Sequence, residues 1–168
     1  MMALELCFVG EVPAYSPVDD SEITASSTAT LDANLERDMC YWQVPRGVKF
    51  LLPTLITKLQ LKLKDNSNND LPELTYFSLG IKSPLSKETP QKIVSAYYRA
   101  WKQLTLKEQL DDTYADRVTL QIRANASYIE LPEDWELHFM ILLPKGASQT
   151  TFHFGNSTLV LPVEEVRA

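Results

Sequence analysis

Two histidines are the side chains best suited to acid–base chemistry in this chain of 168 residues. His138 lies in Leu137-His138-Phe139 and His153 in Phe152-His153-Phe154. An imidazole can act as acid, base or metal ligand near neutral pH. Both residues are opposite in phase to the apolar positions of their strands. If those strands paired, the rings would share one outer face, and zinc would then need a third ligand. The simpler expectation is two solvent-facing strand histidines.

Acidic groups gather in three places. Asp111, Asp112 and Asp116 flank a helix-to-strand turn, and Glu133-Asp134 follows Pro132. Asp65 to Asp70 reads Asp-Asn-Ser-Asn-Asn-Asp, loosely like the start of a calcium loop. The glycine such a loop needs at its sixth position is Asp70, and the bidentate acid at its twelfth is Tyr76. All three clusters read as solvated turns. Cys7 and Cys40 are the only cysteines, with no CxxC pairing. Cys40, in Met39-Cys40-Tyr41-Trp42, reads as a small core residue. The five glycines are spread singly, so no GxGxxG or phosphate-cradling loop occurs, and no serine sits in GxSxG. The expectation is a non-enzymatic protein with no catalytic, cofactor-binding or metal-binding residues and no cofactor.

The elements that would position these side chains are mostly strands. Met39 to Val44 reads as a strand closed by Pro45-Arg46-Gly47. Leu55, Thr57, Leu59, Leu61 and Leu63 alternate with Ile56, Lys58, Gln60, Lys62 and Lys64, the period of a half-buried antiparallel strand. Leu74 to Ile81 would return. Val118 to Arg123 alternates again, Tyr128 to Leu131 meets Pro132, and Trp135, Leu137, Phe139, Ile141 and Leu143 mark a long strand. Gly155-Asn156, between Thr150–Phe154 and Ser157–Val163, predicts a hairpin. One stretch changes period. Ile93, Tyr97, Ala100, Trp101 and Leu104 form a helical stripe behind Thr89 and Pro90, predicting a helix over about 90–110. The aromatics Tyr97, Tyr98 and Trp101 would pack that helix on a sheet. Residues 1–38 are expected to form an extended N-terminal arm with a possible edge strand, because 11–34 holds Pro13, Pro17 and a Ser/Thr/Ala run with little large apolar content. Such a segment is ordered only by lying on something else. Residues 39–168 would then form one antiparallel β-sandwich of jelly-roll type with one inserted helix.

Composition and charge narrow the partners. The chain is 45% hydrophobic and 23% charged, as in ordinary globular proteins. Its longest apolar run, Phe139 to Leu143, falls well short of the roughly 18 residues of a membrane-spanning helix, so no membrane role is expected. The net charge of −6 argues against nucleic acid. That charge is uneven: residues 1–40 hold eight acids and one base, 41–110 eleven bases and five acids, and 111–168 nine acids and four bases. An acidic arm could therefore lie across a basic region, in the same chain or in a neighbour within a dimer or trimer. Met1 to Leu6 lacks a basic n-region, which predicts no signal peptide and synthesis in the host cytoplasm.

Two phrases, Tyr41-Trp42-Gln43-Val44-Pro45-Arg46-Gly47-Val48-Lys49-Phe50 and Ile129-Glu130-Leu131-Pro132-Glu133-Asp134-Trp135-Glu136-Leu137-His138-Phe139, each read as strand, proline turn, aromatic strand. In this the chain resembles tailed-phage virion structural proteins of the capsid cement or decoration type, over residues 39–64 and 117–163. The resemblance implies a protein on the capsid exterior that binds the major capsid protein, or another virion protein, through its surface. It carries over no catalytic residues. The contact residues expected from it and from the charge pattern are Trp42, Arg46 and Lys49 near the first proline turn, and Asp19, Asp20 and Glu22 in the arm. Carbohydrate-binding modules share the same phrases. A sugar-binding alternative would stack rings on Trp42, Trp101 or Trp135, and a tail or adaptor component is a further alternative.

Overall fold

The computed structural model describes residues 2–47, 49–53, 60–98, 118–121 and 128–166, and these form a mainly β protein built of antiparallel sheets. Sheet A has the order β1 (Met2–Leu6), β12 (Thr158–Val166), β4 (Lys49–Pro53), β9 (Tyr128–Leu131), with β5 (Gln60–Lys62) pairing a separate stretch of β12. Sheet B has the order β3 (Arg37–Gln43), β10 (Glu136–Leu142), β6 (Tyr76–Lys82), β7 (Gln91–Tyr98), β8 (Val118–Gln121). A third ladder joins β2 (Thr28–Leu31) to β11 (Thr150–His153).

Strand alternation builds the interior. On β10, Leu137, Phe139 and Ile141 join one apolar cluster with Cys40 and Trp42 of β3 and Phe77 and Leu79 of β6. Leu6, Phe50, Leu131 and Val163 of sheet A belong to the same cluster. β10 is also buried on its other face, where His138 and Met140 lie. The polar face expected for this strand is thus covered: the Tyr41 ring of β3 lies on His138, and Met140 and Pro90 close over Gly80 of β6.

The N-terminal segment is laid onto this body. β1 is an edge strand of sheet A, and Phe8, Ala14, Ile23 and Leu31 enter the common core. Tyr15 exchanges two backbone hydrogen bonds with Tyr41, extending sheet B by one bridge beyond β3. The scarcity of large apolar residues between 11 and 34 is met by a few well-buried ones, and by backbone bonds to β3 and β11.

Two sequence expectations are corrected. Gln91–Tyr98 is a strand, not the start of a helix. Positions i and i+4 also share a face in a strand, and Ile93, Val94, Tyr97 and Tyr98 are β-branched or aromatic, types that favour strands. A register shift opposite Leu79/Gly80 lets both Ile93 and Tyr98 join the core, while Tyr97 stays exposed beside the Tyr76 ring. The rest of the expected helix, with Trp101, lies outside the described residues. So do positions 54–59 of the lysine-faced strand and the cluster Asp111, Asp112, Asp116.

The Gly155-Asn156 hairpin is also absent. β11 pairs with β2 and β12 with sheet A, so Phe154–Asn156, a 3-10 turn, hands the chain from one ladder to another. Gly155 is required there by close approach: a Cβ would stand 2.3 Å from the Ala25 carbonyl oxygen. The Gly155 backbone cannot yield cheaply, because Phe152 and Phe154 just before it are fully buried and the Phe154 N–H is bonded to Ser27 O of the Ala25 loop. Gly155→Ala is therefore expected to lower stability by about 1–3 kcal/mol, as overpacking does. A urea midpoint unchanged from wild type would contradict this close approach.

Candidate functional site

The two proline turns, far apart in sequence, meet at one end of sheet B. Beyond the paired residues Gln43 and Glu136, Val44 N–H donates to Trp135 O at 2.9 Å and Asp134 N–H to Val44 O at 2.9 Å. Gly47 carries the positive φ of +87° that closes the first turn. Asp134 holds the left-handed conformation in the second, at φ 64°, and its carboxylate takes Arg46 Nε at 2.7 and 2.8 Å. That carboxylate and its hydrogen bond raise the Arg46 pKa above its ordinary value. The pair is exposed, so it contributes little to stability.

An open groove of about 580 Å³ lies beside this knuckle, lined by Val12, Pro13, Tyr15, Gln43, Val44, Pro45, Arg46, Pro84 and Asp134. The N-terminal segment forms one wall and the proline turns the other. Three prolines and a tyrosine make those walls stiff.

A polar network lies on the outer face of the same sheet. His138 is 1% exposed and is held between two carboxylates, with Nδ1 2.7 Å from Asp38 Oδ2 and Nε2 2.8 Å from Glu136 Oε1. Glu136 reaches it because residues two apart on a strand share a face. Asp38 reaches it because β3 is bulged. Phe139 pairs with Cys40 but Met140 with Asp38, so Met39 is the extra residue and turns into the core. The Tyr41 ring stacks on the imidazole at 5.2 Å, and its hydroxyl donates to Asp20 of the N-terminal segment. Burial, then the hydrogen bond to Asp20, then the charges of Asp20 and Glu136 push the Tyr41 phenol well above its ordinary range. A neutral imidazole has one N–H, so serving two carboxylates takes either a proton on each ring nitrogen or a protonated acid. Asp38 Oδ1 is buried without a hydrogen-bond partner among the described residues.

The expected solvent-facing pair of histidines is thus corrected: His138 is sealed in this network. His153 lies on a different ladder, where its Nδ1 accepts the Gly155 N–H at 3.2 Å. The rings do not share a face, since β10 and β11 do not pair. Among the described residues, no three His, Cys, Asp or Glu side chains are grouped to hold a metal ion. Asp65 uses Oδ1 to accept the N–H groups of Ser67 and Asn69, the geometry of a polar turn. Burial raises the Cys40 thiol well above its usual value, with the Asp38 charge adding to it, as suits a core residue.

The structure disperses the expected contact residues. Arg46 is on the groove and exposed. Trp42 is 1% exposed, with its indole N–H donating to Cys7 O at 2.9 Å, so its side chain offers no surface to a partner. Lys49 starts β4, and its side chain lies outside the described residues. Asp19 and Glu22 are exposed. The Asp19 carboxylate is held below its usual range by bonds from the Ser21 hydroxyl and N–H. Asp20 is spent on Tyr41. Sequence reasoning missed the roles of Asp38, Glu136 and Tyr41. Only the Glu136-x-His138 spacing carried a local signal.

No protein-family model matches the sequence, and no curated protein shows significant similarity to it.

Replacing His138 by Ala leaves two carboxylates facing a buried gap. The expected loss is about 3–5 kcal/mol, as when one partner of a buried ion pair is removed. Equilibrium urea unfolding at pH 7 measures it, and a loss under about 1 kcal/mol would contradict this network. Tyr41 gives a prediction with a defined sign. Its folded pKa is raised, so its contribution is intact below the unfolded value of about 10 and is lost as pH rises above it. Wild type should therefore lose stability between about pH 9.5 and 11.5 more steeply than Tyr41→Phe. Parallel slopes for the two proteins would refute it.

Proposed function

We propose that the chain is a non-enzymatic structural protein of a virus particle, of the capsid cement or decoration type. It would act through its surface, with a sandwich of jelly-roll character holding the contact region. The observation that supports this most is the knuckle. The two phrases that carry the resemblance, over 41–50 and 129–139, lie side by side and are tied by two backbone bonds and the Arg46–Asp134 pair. A stiff, exposed feature beside a groove suits repeated contact with a shell subunit, because little ordering entropy is lost on binding. His138 itself is closed to solvent with both ring nitrogens taken by carboxylates, while Asp38 and Asp20 keep part of their surface in water, so this histidine serves the fold.

A sugar-binding module has less support. Sugar rings stack on exposed aromatics, whereas Trp42 is buried and Trp135 is half-buried.

The test is occupancy. Shells of the virus that encodes the chain, assembled without it, are mixed with purified protein, and bound copies are counted by quantitative gel densitometry after sedimentation. Saturable binding at a fixed copy number per shell is expected, with several-fold lower occupancy for Arg46→Glu/Lys49→Glu. Failure of the wild-type protein to cosediment would overturn the reading.

A further inference from the structure

The groove beside the knuckle has one wall whose backbone is open. Tyr41 spends its N–H and C=O on Tyr15, at 2.9 and 2.8 Å, so both point away from β10. In an antiparallel ladder the direction alternates, and Val44 confirms the phase by donating to Trp135 on the β10 side. Gln43 therefore aims its own N–H and C=O outward, on the Tyr15 side. The residue that would pair with it there is Pro13, which has no N–H to give. Neither backbone group of Gln43 has a partner among the described residues. The N-terminal segment thus runs alongside β3 at Tyr15 and leaves the ladder at Pro13. The groove of about 580 Å³ opens at that fork.

Two further features define what fits. The volume lies within the roughly 300–1,000 Å³ of built ligand sites, and its walls of Val12, Pro13, Pro45 and Pro84 are apolar and rigid. Arg46 lines the same groove and is 79% exposed. Only its Nε is engaged, by Asp134, and its terminal Nη groups have no partner among the described residues. Those Nη groups form a planar fork suited to a carboxylate.

We infer that this groove binds an extended, acidic peptide segment of a partner protein, which adds a strand to the edge of sheet B at Gln43 and places a carboxylate on Arg46. Open backbone groups on an edge strand select an extended chain, and the Arg46 Nη donors, without a partner among the described residues, can take a carboxylate at a point where Asp134 and Glu133 would resist any other placement of negative charge. The inference deepens the proposed surface role by naming the chemistry of the partner.

The experiment uses the full chain and random dodecapeptides displayed on a carrier. Enriched peptides are synthesised, and their affinities are measured by fluorescence polarisation against wild type and Arg46→Glu. Enriched sequences should share an Asp or Glu within an alternating apolar stretch and should bind Arg46→Glu at least ten-fold more weakly. Methylating the peptide nitrogen that pairs with Gln43 should weaken binding comparably. The Gln43 amide resonance should shift on titration. Arg46→Glu should unfold at the wild-type urea midpoint, since it removes only an exposed pair. No enrichment, enrichment without acids, or equal binding to Arg46→Glu would overturn the inference. So would a dimer by light scattering that Arg46→Glu dissolves, since a second copy would then fill the groove. Peptide binding by a protein that does not cosediment with shells would leave the groove standing and remove the virion reading.

Discussion

The Phe8 side chain holds the body together. Its ring stacks on Trp42 at 6.4 Å and meets Phe139 at 4.8 Å, Phe152 at 5.7 Å and Phe154 at 5.8 Å, the last three edge-on. Those partners come from β3 and β10 of sheet B, from β11, and from the turn after β11. A single residue just past β1 therefore joins sheet A to sheet B and to the smaller ladder. Edge-on aromatic contacts add about 0.5–1.5 kcal/mol each beyond burial, and their geometry restricts how the sheets can be set. The bond from Trp42 to Cys7 O fixes the backbone next to that ring. Everything the N-terminal segment does later, from the Tyr15 bridge to the Asp20 contact, starts from this anchor.

The opposite face of sheet B has a different kind of specificity. Burying His138 with Asp38 and Glu136 carries a desolvation cost that the mutual contacts offset only if geometry is kept. The bulge at Met39 sets that geometry. Without it, Asp38 would pair with Ile141 and face the apolar core, leaving His138 one acceptor short. The network thus penalises slipped registers of β3 against β10. The same register sets the direction of the Gln43 backbone and the meeting of the two proline turns, so the groove inherits its shape from a buried feature with no contact to it.

What was legible in the sequence follows from how local each signal is. β3, β9 and β10 were readable because each is a run of consecutive strand-favouring residues, buried in β3 and alternating in β10, that a proline closes. Ile93 and Tyr97 misled because a spacing of four satisfies both a helix and a strand, and the bulge that shifts their phase depends on a neighbour strand. Gly155-Asn156 misled because the turn residue was read for its conformational freedom, whereas its missing side chain is what Ala25 requires. His138 was correctly placed out of phase with the core. Its burial depends on Tyr41 and Asp38, both about a hundred residues away in the chain. Phe8 had no signal, since one phenylalanine in a short N-terminal stretch announces no partner.

The position of β12 bears on how the molecule is made. It follows every other strand in the sequence, yet it is the strand against which β1, β4 and β5 are laid. Ribosomes deliver roughly 5–20 residues per second, so β1 waits many seconds for its neighbour. During that interval β1 and β4 lack their β12 partner, and of the four rings around Phe8 only Trp42 has been made early, since Phe139, Phe152 and Phe154 arrive shortly before β12. Sheet B up to β7 needs β10 to unite β3 with β6, so it too closes late. Sheet A therefore closes only once β12 has been made. The molecule's slow step is the search among long-range pairings that such a topology imposes.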